Sequence, residues 1–388
     1  MNKKLLLFFI IVHPIFILSG CWDSMELNER AIELAWGIDQ AENKGIQIST
    51  QVIIPSKIRG GDSGSGGSQG KAYYVETGNG KDTLDAVQQM QTKLSRQIFR
   101  GQRRVIVVGE ELARNGIKDM LDTYTRDPSI NLLTDIFVIK GGTAKDFLQT
   151  SHPLEVIPAV GALKEYYQIG SLKEVGFLNF LLFASSEKSC PTMAAIASSN
   201  SSSLGQKANG FRIAGTGIFN KDLKLKGYLN VLEGKSLRWA TGNLDFLTIT
   251  SRVPNKKGHV SIDLNKVGSK IKPIIKRNRI RFLVTLTGQG AIRENNTSLD
   301  LTQVKNVAIV KKALEKQAEE NVRNTITKVQ KEYGTDIFGF SDVIKRKNLR
   351  RWKSLKKNWD KEFSEAEVTV KANLTVRKIG VTGKSLIK

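Results

Sequence analysis

Apolar and polar residues alternate in several segments of the chain, as they do in strands that bury one face of a sheet. Two Ile- and Val-rich runs, residues 31–39 and 46–54, flank a turn containing Glu-Asn-Lys-Gly and predict a hairpin. Residues 368–376 alternate strictly, and residues 280–286 alternate apart from Leu283. The chain is therefore predicted to build sheets from both of its halves.

Apolar residues spaced by three and four positions predict helices between these strands. One such stripe covers residues 84–98, and a longer one covers residues 307–333 with charged residues on its other face. Short, mostly apolar runs at 105–108 and 135–140 predict buried strands between helical segments. The pattern predicts a multi-domain α+β protein with mixed sheets flanked by helices, whose C-terminal sheet packs on the one long helix.

Charge divides the chain near residue 200. The 60 Lys and Arg and the 37 Asp and Glu give a net charge of +23. Residues 1–200 hold 21 basic and 21 acidic residues, whereas residues 201–388 hold 39 and 16. A surface with this excess favours a polyanionic partner such as nucleic acid, an anionic membrane or an acidic protein.

A serine-rich segment falls at the same position as the change in charge. We therefore predict four segments, of which the second comprises two subdomains and contains a flexible Gly/Ser loop at 60–70. The second half is predicted to open with a hairpin over residues 211–231. The predicted segments are a signal peptide at 1–20, an N-terminal α/β region at 21–197, a linker at 198–210, and a basic α+β domain at 211–388.

The N-terminus indicates export. Lys3 and Lys4 precede an apolar stretch at 5–18, which is short for a membrane span and typical of a signal peptide. Leu-Ser-Gly then leads directly to Cys21, as in the lipobox of bacterial lipoproteins. The alternative is an ordinary signal peptide followed by a chance cysteine. On the lipobox interpretation, Cys21 carries diacylglycerol, with an N-acyl chain such as palmitate as a further option, and anchors the chain to the outer face of the cell membrane.

Export changes which polyanion the basic half meets. DNA and RNA are not expected as partners outside the cytoplasm, and the face of an anionic bilayer lies close by. A dense basic run includes Trp352 and Trp359. It is either a solvated helix face that the two indoles dock to the core, or a surface that contacts lipid head groups or a membrane partner. The candidate contact residues are Lys345, Arg346, Lys347, Arg350, Arg351, Lys353, Lys356 and Lys357.

Residues with catalytic or metal-binding chemistry are few. After removal of residues 1–20, the histidines are His152 and His259, and Cys190 is the one thiol besides Cys21. They do not lie in Gly-x-Ser-x-Gly or Cys-x-x-Cys contexts. The Gly-rich segment is not a Walker A loop, because Ala72 occupies the position of its hydroxyl residue. We predict a protein that is not an enzyme, without catalytic residues, a metal site or a non-covalent cofactor.

Several short motifs occur in a fixed order from Cys21 onwards. They are CWDSMELN at 21–28, GID at 37–39, VVGEELARNGI at 107–117, RD at 126–127, KGG at 140–142, GTGIF at 215–219, LKGYL at 225–229 and DIFGF at 336–340. Together they resemble the Ger(x)C spore germination lipoproteins, which are the C subunits of nutrient germinant receptors in endospore-forming bacteria. One departure is Ser341, where the family pattern has a second Gly after Gly339-Phe340.

The resemblance implies a three-domain fold of mixed sheets and helices without a catalytic site. It also implies a complex in the spore inner membrane with an A subunit and an integral-membrane B subunit, which responds to small nutrients. Two other interpretations remain open on the residues alone. One is an extracytoplasmic solute-binding lipoprotein, which predicts two similar α/β lobes around a cleft. The other is an exported enzyme acting on wall or lipid.

Overall fold

The computed structural model describes residues 26–58, 71–127, 131–172, 176–201, 208–276 and 279–380. Cys21, the segment 1–20 and the predicted Gly/Ser loop at 60–70 lie outside these ranges. The described residues form two sheets flanked by helices, which confirms the α+β class. All described strands up to residue 229 join one sheet, including those of the range predicted to hold two subdomains.

The first sheet has, within the described ranges, nine strands with parallel pairing at its centre. Its strands are β1 (Arg30–Gln40), β2 (Ile46–Ile53), β3 (Tyr73–Gly80), β4 (Gln97–Phe99), β5 (Val105–Val108), β6 (Asp135–Lys140), β7 (Thr192–Ser201), β8 (Ala208–Phe219) and β9 (Leu225–Leu229). The order is β3-β2-β1-β5-β6-β7-β8-β9, and β4 pairs with the start of β1. Strands β1, β5, β6 and β7 run parallel, while the strands on either side of them pair antiparallel.

Helices cover both faces of this sheet, which explains why β5 is apolar throughout. Ile106 and Val108 face a core formed with α2, α3, α4 and α7, whereas Val105 and Val107 face a second core formed with α5 and α6. Successive strand residues point to opposite faces, so a strand covered on both sides has no polar positions. The helices are α1 (Pro55–Ile58), α2 (Thr83–Gln91), α3 (Glu110–Asn115), α4 (Lys118–Arg126), α5 (Ala144–Gln149), α6 (Pro158–Gln168) and α7 (Gly176–Ser185).

The segment predicted as a linker lies in the first sheet. Strands β7 and β8 pair from Thr192 with Ile218 to Ser201 with Ala208, so residues 198–201 and 208–210 belong to one hairpin. The hairpin predicted at 211–231 also belongs to this sheet, as β8 and β9. The first sheet therefore extends to Leu229, because the strand pairing includes residues 198–201 and 208–210.

The second sheet is built from the basic half of the chain. Its strands are β10 (Phe246–Arg252), β11 (His259–Lys276), β12 (Arg279–Asn295) and β13 (Glu367–Lys378), paired in that order. The pairs are antiparallel except for β12 and β13, which run parallel. The helices are α8 (Val231–Thr241), α9 (Val304–Lys328) with a π turn at Val329–Tyr333, α10 (Phe340–Lys347), α11 (Leu349–Leu355) and α12 (Trp359–Glu365).

The predicted packing of a sheet on one long helix is confirmed. Leu314 and Ile326 of the 25-residue α9 share a core with Phe282 of β12 and Leu374 of β13. Polar contacts complete this interface at the edge strand β13. Glu315 accepts a hydrogen bond from the Leu374 backbone N–H, and Glu319 accepts one from Ala372, each at 2.9 Å.

Candidate functional site

The candidate basic surface lies on helices α10 and α11. Helix α10 begins after Gly339, which adopts a left-handed φ of 75°, and α11 begins at Asn348, whose side chain accepts the Arg351 N–H. Trp352 and Trp359 are fully buried, with ring centroids 5.4 Å apart. The structure therefore confirms that the two indoles dock this segment to the core.

The charged side chains of this surface differ in their contacts and exposure. Lys345 and Lys356 pair with Glu187 at 3.4 and 2.8 Å, and Trp352 Nε1 donates to the same carboxylate at 3.0 Å. The contacts of Lys356, Trp352 and Lys345 lower the pKa of Glu187 to about 2. Arg351 is half-buried. The others are exposed and form no ion pair with a described residue; they are Arg346, Lys347, Arg350, Lys353 and Lys357.

Exposed Leu349 lies among these cations, at the junction of α10 and α11. The surface thus combines a row of cations with one accessible apolar side chain, while its opposite side is held by two buried indoles. The structure fits a solvated helix face that two indoles dock to the core, and contact with lipid head groups or a membrane partner stays a prediction. Phosphate groups at a bilayer surface, or a carboxylate-rich partner, have the complementary charge.

A second cluster gathers three of the sequence motifs at the carboxyl ends of the parallel strands. The buried carboxylate of Asp39 accepts hydrogen bonds from Ala144 N at 2.7 Å and Lys145 N at 2.9 Å, so it caps α5. Burial raises the pKa of Asp39 although both N–H groups oppose that effect. A Cβ at Gly109 would lie 2.1 Å from Asp39 Oδ1, which explains the glycine.

Glu110 connects the KGG motif to the same cluster. Its carboxylate accepts the Gly141 N–H and pairs with Arg114, both at 2.5 Å. Burial opposes ionisation of Glu110, yet these two contacts hold its pKa below the usual range. Gly141 has a left-handed φ of 79°, which glycine adopts without strain. These motif residues therefore join α3 and α5 to the sheet, which is a structural role.

Two family models cover most of the chain. Residues 23–198 match "Spore germination protein N-terminal domain", and residues 214–380 match "Spore germination B3/ GerAC like, C-terminal". The chain belongs to the Ger(x)C family of spore germination proteins. This confirms the resemblance drawn from the sequence motifs.

Named relatives of this Ger(x)C chain match it from end to end. The putative spore germination protein YfkR of Bacillus subtilis is 28% identical and covers 95% of each chain. Spore germination protein KC of the same organism is 25% identical, over 98% of this chain and 97% of that one. The crystal structure of GerBC matches with a TM-score of 0.55 at 20% identity, covering 88% of this chain and 96% of that chain, and so shows the same fold.

The DIFGF motif of the Ger(x)C chain joins its two halves. The buried Asp336 carboxylate accepts the N–H groups of Phe340 and Ser341 at 3.1 and 2.8 Å, and the Asp336 carbonyl accepts Cys190 N at 2.8 Å. Ser341, which departs from the family pattern, has a hydrogen-bond partner, because its hydroxyl lies 2.6 Å from that of Ser189. A glycine there would leave the Ser189 hydroxyl with fewer contacts.

The structure does not bring the scarce histidines and the thiol together. His152 lies 3.2 Å from Glu165 and against Phe211, and His259 is exposed at the start of β11. Cys190 is buried, and burial raises its thiol pKa to about 12. In the part of the chain that the structure describes, three or more His, Cys, Asp and Glu side chains nowhere gather as metal ligands would.

The described helices include none that is long and apolar enough to cross a membrane. Sequence reasoning missed the contacts of two charged residues, the exposed Glu187 and the buried Arg238. Glu187 is 158 to 169 residues from the lysines that it binds, and Arg238 sits in a short helix without a recognisable motif. The sequence signal was the charge itself, because Glu187 follows the end of α7 and Arg238 belongs to no recognised motif.

Proposed function

We propose that this protein is the lipid-anchored C subunit of a nutrient germinant receptor, required for the response of spores to small nutrients. Acyl chains on Cys21 would hold it on the outer face of the spore inner membrane, beside the A subunit and the integral-membrane B subunit. The observation that carries this proposal is the order of the two family matches directly behind a lipobox cysteine. Relatives across the full length bear the name spore germination protein.

The anchor would act through the bilayer at close range. Each buried CH₂ of an acyl chain contributes about 0.8 kcal/mol, and two chains give stable anchoring where one is marginal. Glu26, the first described residue, follows Cys21 by five positions, so an extended chain places it within about 18 Å of the anchor. The first sheet would therefore lie next to the membrane surface.

The basic surface on α10 and α11 would provide a second contact, with anionic lipid or with an acidic face of a receptor partner. The role is one of assembly rather than catalysis. The solute-binding alternative predicts two similar lobes, whereas the two sheets differ in strand number and in topology. The structural observations thus give more support to the receptor subunit.

The test is a deletion strain complemented with three versions of the gene: wild type, Cys21→Ala, and Cys190→Ala. Purified spores are exposed to a panel of nutrients, and germination is followed by the loss of optical density. We expect wild type and Cys190→Ala to restore a response that the deletion loses, because Cys190 is buried far along the chain. Cys21→Ala should not restore the germination response, and the variant protein should be absent from the membrane fraction. An unchanged response of the deletion strain to every nutrient, or full function without acylation, would contradict the proposal.

A further inference from the structure

A cavity of about 60 Å³ lies between the first sheet and helix α8. Its polar lining comes from both sides, with Thr192 and Thr216 on the sheet and Asn179 on α7. Arg238 of α8 lines it as well and is 7% exposed. The smallest space that holds a water is about 10–15 Å³, so this one has room for a few waters or for the head of a small ligand.

The guanidinium of Arg238 is buried without a carboxylate partner among the described residues. Its Nε has no hydrogen-bond partner there, and Nη1 donates to the Thr216 hydroxyl at 3.4 Å. Its other neighbour is Tyr166, whose ring centroid lies 5.6 Å away and whose hydroxyl also interacts with the guanidinium. Burying a charge that is not paired carries a penalty of several kcal/mol, so an anion that pairs with it would stabilise the folded protein.

The surroundings do not supply that anion. Aspartate and glutamate are absent from the described lining of the cavity. The nearby Asp135 is engaged elsewhere, because its carboxylate accepts Gly176 N at 2.9 Å and the Tyr167 hydroxyl at 2.5 Å. A second cation, Lys235, lies three residues before Arg238 on α8, and burial together with the charge of Arg238 lowers its pKa. The local potential is therefore positive.

We propose that this cavity binds a small organic carboxylate, held by the planar fork of the Arg238 guanidinium. A guanidinium presents parallel N–H donors that match the two oxygens of a carboxylate, and the unpartnered Nε is one of them. Apolar side chains would enclose the rest of the ligand, with Phe183, Leu237 and Ile337 on the wall. The inference is independent of the proposed receptor role, since it rests on the cavity alone.

The probe is sodium acetate, with acetamide as its neutral isostere and sodium chloride at equal ionic strength. Thermal unfolding of the full-length protein in detergent is measured as the concentration of each rises. We expect acetate to raise the Tm by several degrees in a saturable manner, because a ligand that binds only the folded state stabilises it. Acetamide and chloride should leave the Tm unchanged. Equal responses to all three, or the absence of a saturable acetate response, would overturn the proposal.

Variants locate the effect. Arg238→Met should abolish the acetate response and leave the Tm without acetate unchanged or higher, because it removes an uncompensated charge. Lys235→Met removes the other cation of α8, which is not in the cavity lining, and should keep the response. If Arg238→Met does not fold, Arg238→Lys keeps the charge without the fork, and its half-saturating acetate concentration should rise at least about tenfold. A response that persists in Arg238→Met, or an unaltered one in Arg238→Lys, would refute the assignment.

A further variant tests whether a carboxylate of the protein itself, and not an external one, occupies the cavity. Glu174 falls between the lining residues Leu172 and Gly176 in sequence, outside the described residues. In Glu174→Gln the acetate response should match that of wild type. A response that arises only in Glu174→Gln would mean that the protein's own glutamate fills the site, and the proposal of an external ligand would be wrong.

Discussion

Arg103 lies over Trp36 in the core of the first sheet, with its guanidinium carbon 3.7 Å from the centre of the indole ring. The same guanidinium pairs with the fully buried Glu33. That carboxylate also accepts Trp36 Nε1 at 2.7 Å and the Thr50 hydroxyl at 2.9 Å. One buried carboxylate thereby holds together β1, β2 and the segment that leads into β5.

Replacing Arg103 by Met should lower the free energy of unfolding by about 3–5 kcal/mol, because Glu33 would stay buried without its cation. Urea unfolding followed by far-UV circular dichroism measures this change without relying on the Trp36 signal. Arg126→Met is the matched control, since it breaks an exposed pair with Asp122. We expect no measurable change in the control. A change of the same size in both variants would contradict the prediction that the buried pair contributes more to stability than the exposed one.

Neutralising the open side of the basic surface should weaken binding to anionic vesicles. Each cation near such a membrane contributes about 1 kcal/mol, so a variant with four of them changed to Gln should lose most of its binding at low salt. The protein without its acyl anchor, as Cys21→Ala, is measured by co-sedimentation with phosphatidylglycerol vesicles. The four changed residues are Arg346, Lys347, Arg350 and Lys353.

The control for this experiment carries the same loss of charge on the second sheet and its loops, at Lys256, Lys257, Lys270 and Lys272, which are exposed. It should retain binding if the surface on α10 and α11 makes the contact. Equal losses in the two variants would show that the overall charge of the chain is responsible. Unchanged vesicle binding in both variants would show that this surface does not contact the membrane, and would favour an acidic protein partner for it.

Asp39 gives a pH dependence of known sign. Burial raises its pKa in the folded state, so that state binds the proton more tightly than the unfolded chain does. Wild-type stability should therefore fall, relative to Asp39→Asn, as the pH rises from the ordinary value of 3.8 through the raised pKa. Unfolding free energies of both proteins across this range are compared. A difference that does not vary with pH, or that varies with the opposite sign, would contradict the assigned cause.

The hydroxyl pair of Ser189 and Ser341 should contribute a coupling energy of about 1 kcal/mol between the two halves of the chain. A double-mutant cycle with Ser189→Ala and Ser341→Ala measures it by urea unfolding. Ser189 also donates to Asp342 at 2.7 Å, so the single change at Ser189 should destabilise more than the change at Ser341. Strict additivity of the two changes would show that the hydroxyls do not interact.

The sequence predicted the elements whose pattern is local. The run at 105–108 predicted β5 because every position is apolar, and the spacing over residues 307–333 predicted α9. Residues 198–210 were predicted as a linker because their composition is serine-rich, whereas the pairing of Ser198 with Phe211 depends on a partner strand. Local pattern does not reveal strand partners.

The candidate site shows the same division. The basic run and its two tryptophans could be recognised because they lie close together in the sequence. Glu187, by contrast, binds Trp352 across 165 residues of sequence. Asp39 likewise reaches the N-terminus of α5 over 105 residues. Such contacts arise only once the sheets are assembled. Arg238 was missed because a single buried arginine produces no periodic pattern in the sequence.

The two glutamates on α9 determine how the second sheet can associate with other chains. Strand β13 is an edge strand, and an edge with unpaired N–H groups recruits further strands from other molecules. Glu315 and Glu319 already occupy the N–H groups of Leu374 and Ala372. A protein that adds a strand here would have to displace both carboxylates. The sheet is thus closed to growth on this side, and a neighbour in an assembly must approach through side chains rather than through backbone pairing at β13.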